Sequence, residues 1–156
     1  MTSNGVKVYF AADHAGFDLK NVLIRFAKDK GYAVEDCGAH EKNPEDDYPM
    51  IIACAAEKIS QNPGDRAVVI GGSGQGEAIV ANRFPNVRAV VYYGGKPDII
   101  RLSREHNDAN VLSLGARFVN EENAKDVLLD WLRRDGPTEK RHQRRVVQIE
   151  NVYRDI

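Results

Sequence analysis

Apolar and polar positions along the chain follow two alternating rhythms. Short runs of strand-forming residues are separated by longer stretches in which apolar residues recur every three or four positions. Residues 6–12 form the first run, with Lys7 as its polar exception, and it ends at Asp13-His14-Ala15-Gly16. Over 17–30, Leu19, Val22, Leu23 and Phe26 fall at helical spacing, and Gly31 closes the helix. Residues 33–36 read as a short strand and 40–47 as a polar, acidic loop. Pro49 then opens a helix whose apolar side carries Ile51, Ile52, Ala55, Ala56 and Ile59.

Asn62-Pro63-Gly64-Asp65 turns the chain into a strand at 67–70, followed by a glycine-rich loop and a short helical stretch. Residues 87–92 predict a strand, 97–107 a helix, 111–114 a strand, 120–134 an amphipathic helix and 139–153 a last helix. Strands alternating with helices of this length predict a parallel sheet covered on both faces. The expected fold is α/β: a three-layer αβα sandwich with a Rossmann-like, mostly five-stranded parallel sheet and an extra C-terminal helix. At 156 residues the expectation is one domain over 1–156.

In such a sheet ligands bind outside the carboxyl ends of the strands. Asp13-His14, the glycine loop and Arg117 each follow a predicted strand, and His106-Asn107 lies just ahead of another. The expectation is that all of them converge on one rim.

Composition narrows the function classes. A net charge of −1 draws the chain to neither nucleic acid nor membrane as a whole. Met1 to Gly5 lacks the basic and apolar pattern of a signal segment, and no apolar run reaches spanning length. A cytoplasmic location is therefore expected. Cys37 and Cys54 are too few and too isolated for a disulfide framework, and both are expected to be buried free thiols. His14, His40, His106 and His142 have no recognisable ligand spacing, so no metal is expected, and His40 reads as exposed.

The glycine loop, Gly71-Gly72-Ser73-Gly74-Gln75-Gly76-Glu77, carries the chemistry. Gly71 and Gly76 have the spacing of a phosphate-cradling P-loop, but Glu77-Ala78 replaces its Lys-Ser/Thr pair. The dinucleotide fingerprint fails at Glu77 and the nucleophile elbow at Gln75. What remains is an anion-holding loop with a carboxylate beside it. The plainer alternative is a tight turn in which Glu77 only complements the helix dipole. Whether that dipole or a dry site governs the ionisation of Glu77 is open at this level.

Six segments in order resemble the type B ribose-5-phosphate isomerases, within the family that includes galactose- and allose-6-phosphate isomerases. They are Ala12-Asp13-His14-Ala15-Gly16, Asp47-Tyr48-Pro49, the glycine loop, Arg104-Glu105-His106-Asn107, Leu114-Gly115-Ala116-Arg117 and Arg141-His142-Gln143-Arg144-Arg145. No single segment is specific; the ordered set is. The resemblance implies aldose–ketose interconversion of a phosphorylated sugar through ring opening and a cis-enediolate, without metal or organic cofactor. One branch of the family uses a cysteine base where Gly71 stands here. The other uses a glutamate that Glu77 matches, so neither Cys37 nor Cys54 is expected to be catalytic.

On that reading Glu77 is the base, and the N–H groups of Gly72, Ser73, Gly74 and Gly76 stabilise the oxyanion with help from the Ser73 hydroxyl. Gln75 belongs to the same substrate-binding turn. By resemblance His106 opens the sugar ring, Asn107 binds substrate, Asp13 orients hydroxyls and Tyr48 walls the pocket. His14 and Arg117 match phosphate-binding positions. Arg141 and Arg145, four residues apart on one helix face, fit a clamp on a dianion. In the family these two reach the neighbouring subunit, which implies a homodimer, with a dimer of dimers as the larger alternative. The expected substrates are ribose 5-phosphate and ribulose 5-phosphate, with tetrose or hexose phosphates as alternatives. Residues 92–97 are where sugar specificity is expected. Competing classes are a flavodoxin-like nucleotide-binding module and a nucleic-acid binder using the basic stretch 140–145.

Overall fold

The structure is a computed structural model that describes residues 5–154; positions 1–4 and 155–156 of the expected domain lie outside the described residues. The elements follow in the order β1 (Lys7–Ala12), α1 (Phe17–Asp29), β2 (Ala33–Asp36), α2 (Tyr48–Gln61), β3 (Arg66–Gly71) and α3 (Gln75–Ala81). Then come β4 (Ala89–Tyr92), α4 (Asp98–Glu105), β5 (Val111–Gly115), α5 (Glu121–Arg133) and α6 (Lys140–Asn151). The five strands are all parallel, in the order β2-β1-β3-β5-β4. The expected fold class is the observed one.

Alternation along the strands feeds two separate cores. Val8, Phe10 and Ala12 of β1 point to the face covered by Leu23 of α1, Ile100 of α4 and Leu128 and Trp131 of α5. Tyr9 and Ala11 point the other way, onto Ile52, Ala55, Ala56 and Ile59 of α2. The helix ends obey local chemistry. Gly31, at φ 88, lets the chain leave α1, and the Asn120 side chain caps α5 by accepting from the Asn123 N–H at 2.8 Å.

Strand order reverses between β1 and β3, so a crevice opens at their carboxyl ends. Gly16 lets α1 start close against β3: a Cβ there would lie 2.6 Å from the Ile70 carbonyl oxygen.

One expectation fails in the core. Cys37 is half-buried, but Cys54 is exposed. The buried face of α2 is Ile52, Ala55, Ala56 and Ile59, and position 54 falls out of phase with it.

Helix α6 behaves differently from the other five. It buries only His142 and leaves Val147, Ile149 and the following Val152 and Tyr153 exposed. Polar anchors fix its far end, where Glu150 pairs with Arg88 and accepts from the Asn86 N–H.

Candidate functional site

The glycine loop leaves β3 at the crevice and turns directly into α3. Gly74, at φ 77, takes the left-handed conformation that the turn requires. The loop is pinned from beneath: its Gly74 carbonyl accepts from the buried Ser113 hydroxyl at 2.6 Å, and Ser73 packs against Gly115. Among the described residues the N–H groups of Gly72, Ser73 and Gly74 donate to nothing, while the Ser73 hydroxyl accepts from the Gln75 N–H at 3.3 Å. These are preorganised donors of the kind an oxyanion needs.

Glu77 lies under this turn, 4% exposed, and its carboxylate fills the space beside the Gly71 Cα. Burial pushes its pKa above the ordinary 4.5, and the charge of Asp13 adds to the rise, against its own backbone N–H, which lowers it. Desolvation therefore outweighs the one local backbone hydrogen bond that favours the charged form.

Asp13 and His14 end β1 at the same rim. Asp13 is buried, and its Oδ1 accepts from the N–H groups of Ala15 and Gly16. The Nδ1–H of His14 donates to Asp46 Oδ1 at 2.6 Å, and the same oxygen accepts the His14 backbone N–H at 3.2 Å. Asp46 is the residue that sequence reasoning missed. It sits in the acidic loop 32 positions from its partner, and nothing local pairs the two. Asp13, His14 and Asp46 also stand close enough to form a metal cluster, with ligand atoms within 4.8 Å of one another. The hydrogen bonds just described already engage one oxygen of each carboxylate and the His14 Nδ1, and account for that closeness.

Two further expected residues join this rim. The Tyr48 hydroxyl packs on the Gly76 Cα, where any Cβ would collide with it. The Arg117 guanidinium lies over Gly72, 3.2 Å from where a Cβ would be, and the Arg117 N–H donates to the Gly72 carbonyl. Tyr93, in the 92–97 segment, meets Phe118 edge to face at 6.1 Å, so the expected specificity segment borders Arg117.

His106 and Asn107 do not join them. Both precede β5, and the register pairs Val111 with Ala67 and Gly115 with Gly71. In a parallel sheet, residues ahead of a strand lie at its amino end, so the expected convergence on one rim is wrong for these two. The length of β5 alone, roughly 13 Å at ~3.3 Å per residue, separates the rims. Helix α6 lies along the same amino rim, because His142 stacks on His106 and Glu150 holds Arg88. His106, Asn107, Arg141 and Arg145 therefore form a second group, away from Glu77. Arg141 and Arg145 are both exposed, and Arg141 pairs with Glu139 at 2.8 Å.

The order of these features along the chain matches a known pattern. The family model described as Ribose/Galactose Isomerase matches residues 8–149. The chain belongs to that family. Ribose-5-phosphate isomerase B of Mycobacterium tuberculosis strain H37Rv is 36% identical over 143 residues, which cover 92% of this chain and 87% of that protein. The Escherichia coli K12 protein of the same name is 37% identical over 145 residues, covering 92% and 93%. Among solved structures, ribose-5-phosphate isomerase B of Mycoplasma genitalium with bound ribulose-5-phosphate superposes with a TM-score of 0.90 at 30% identity, covering 97% of this chain and 98% of that one. The Clostridium thermocellum structure gives 0.88 at 38% identity, covering 96% and 99%. The chain is an isomerase of this fold. No helix among the described residues is long and apolar enough to cross a membrane.

Proposed function

We propose that this chain interconverts D-ribose 5-phosphate and D-ribulose 5-phosphate, with Glu77 as the base that moves the proton. The observation that carries the reading is one buried carboxylate set beneath a turn of unpartnered N–H groups. Glu77 removes the C2 proton of the open-chain aldose and returns it to C1, while the Gly72–Gly74 turn stabilises the negative charge that develops on oxygen. His14 and Arg117 hold the phosphate at the same rim, Asp13, Gln75 and Gly76 bind the sugar, and Tyr48 walls it.

The reading includes a homodimer whose sites are shared between subunits. Glu77 and Arg117 come from one chain; His106, Asn107, Arg141 and Arg145 come from the other. Two observations support this. The second group sits on the opposite rim of its own sheet, out of reach of its own Glu77. Helix α6 also presents Val147, Ile149, Val152 and Tyr153 to solvent, an apolar surface suited to a partner. The chemistry of the sugar explains why His106 and the arginine pair travel together. The ring oxygen of the furanose is on C4, one carbon from the phosphate-bearing C5. A ring-opening acid and a phosphate clamp must therefore stand side by side.

The test is turnover of four-, five- and six-carbon aldose phosphates by the wild type and by Glu77→Gln. The five-carbon substrate is expected to be preferred, and Glu77→Gln is expected to lose roughly 10²–10⁴-fold in kcat while still binding a phosphorylated sugar acid. Near-normal turnover in that variant would remove Glu77 from the role.

A further inference from the structure

His106 has no hydrogen bond to either ring nitrogen among the described residues. Its one ring–ring contact among the described residues is with the His142 imidazole, which lies against it, centroids 4.0 Å apart and planes 16° from parallel. His142 is 5% exposed and is the one residue that α6 buries. Among the described residues its Nε2 is enclosed without a hydrogen-bond partner, and the Glu139 carboxylate is 4.0 Å away. Burying a polar nitrogen unpaired is a poor way to anchor a helix, since an aliphatic side chain would fill the space without that loss. The flat face of the ring is the feature an aliphatic residue lacks.

We propose that His142 is the positioning residue for His106, holding the ring-opening imidazole by stacking, so that α6 couples ring opening to phosphate binding. The proposal rests on the isomerase reading above. The flanking Arg141 and Arg145 come from the same helix turns as His142. A phosphate drawn to the arginines therefore also fixes the helix against which His106 leans. Burial, and then the charges of His106 and Arg141, push the His142 pKa below that of an ordinary imidazole, with Glu139 opposing and Arg145 adding to them.

The test separates ring opening from proton transfer. Ribulose 5-phosphate is open-chain, so exchange of its C1 hydrogen with deuterated solvent needs Glu77 but not ring opening. Turnover of ribose 5-phosphate needs both. Wild type, His142→Ala and His142→Phe are compared in the two assays, exchange being followed by proton NMR. His142→Ala is expected to lose about tenfold or more in aldose kcat, as misplacement of a reacting group does. Its exchange rate and its KM are expected to stay near wild type. His142→Phe, which keeps a flat ring, is expected to recover most of the loss. Equal losses in both assays would assign His142 to folding or assembly and overturn the proposal. Wild-type turnover in His142→Ala, or a His142→Phe as impaired as His142→Ala, would also overturn it. A wild type inert in both assays would instead overturn the isomerase reading, and this role with it.

Discussion

The Glu77 carboxylate occupies the volume that a side chain at Gly71 would need: a Cβ built on Gly71 collides with all three atoms of the carboxyl group. The family resemblance assigns the catalytic base to one or the other of these two positions. In this chain they are mutually exclusive in space, so a glycine at 71 is a requirement for a glutamate at 77. Gly71→Ala is expected to push the carboxylate out of its place and lower kcat by about 10²-fold or more, the weight of a positioned base. Circular dichroism and KM are expected to change little. A Gly71→Ala enzyme with wild-type kcat would show that the carboxylate can act from another position.

The raised pKa of Glu77 predicts a signature in both rate and stability. A base must be ionised to act, so the acidic limb of kcat/KM against pH is expected to lie above the ordinary 4.5 of a glutamate. Asp13 contributes to that rise, so Asp13→Asn is expected to move the limb to lower pH, whatever it does to the maximum. The sign for stability is the reverse. A carboxyl whose folded-state pKa is raised stabilises the fold below the unfolded-state pKa, and that contribution is lost as pH rises through the folded value. At neutral pH an ionised, buried Glu77 is therefore a liability. Glu77→Gln is expected to raise Tm at pH 7, with the gain shrinking as pH falls toward 4. A lower Tm at pH 7 would show that the carboxylate is well compensated.

The contact between His14 and Asp46 separates binding from chemistry. One Asp46 oxygen accepts both the ring and the backbone N–H of His14, which leaves Nε2 as the ring nitrogen without a partner among the described residues. Asp46→Asn keeps the shape and removes the charge. A hydrogen bond to a charged group contributes roughly 1.5–3 kcal/mol. Loss of about 1.4 kcal/mol is tenfold in an equilibrium constant. KM is expected to rise about tenfold with kcat nearly unchanged. A fall in kcat at constant KM would place Asp46 in the proton transfer instead.

How much of this was legible in the sequence depends on how far apart the interacting residues are. Strands and helices were readable because apolar spacing is local, and the exposed side of Cys54 was readable too, since it stands out of phase with Ile52, Ala55 and Ile59. The rim of His106 was also available: a residue ahead of a parallel strand sits at its amino end, and the expectation of one rim overlooked that. Asp46 was not legible, because its bond to His14 spans a helix and a strand, α1 and β2. Nor was the balance at Glu77, where its own backbone N–H opposes a burial that only the assembled crevice creates.

The division of the candidate site between two rims gives the most demanding prediction. Glu77→Gln and His106→Ala homodimers are each expected to be nearly inactive in aldose turnover. If the two residues act from different subunits, a mixed dimer has one site carrying both substitutions and one site carrying neither. Random pairing makes half the dimers mixed, and half of their sites intact, so activity is expected to return to about one quarter of wild type. If both residues acted within one chain, every site in a mixed dimer would carry one substitution and no activity would return. The measurement is turnover after the two variants are unfolded together and refolded, against each refolded alone. Arg145→Ala in place of His106→Ala is expected to behave the same way, because α6 holds Arg145 on the rim of His106. Recovery with Arg145→Ala but not with His106→Ala would put His106 back with its own Glu77, which the parallel register of β3 and β5 forbids without a large rearrangement.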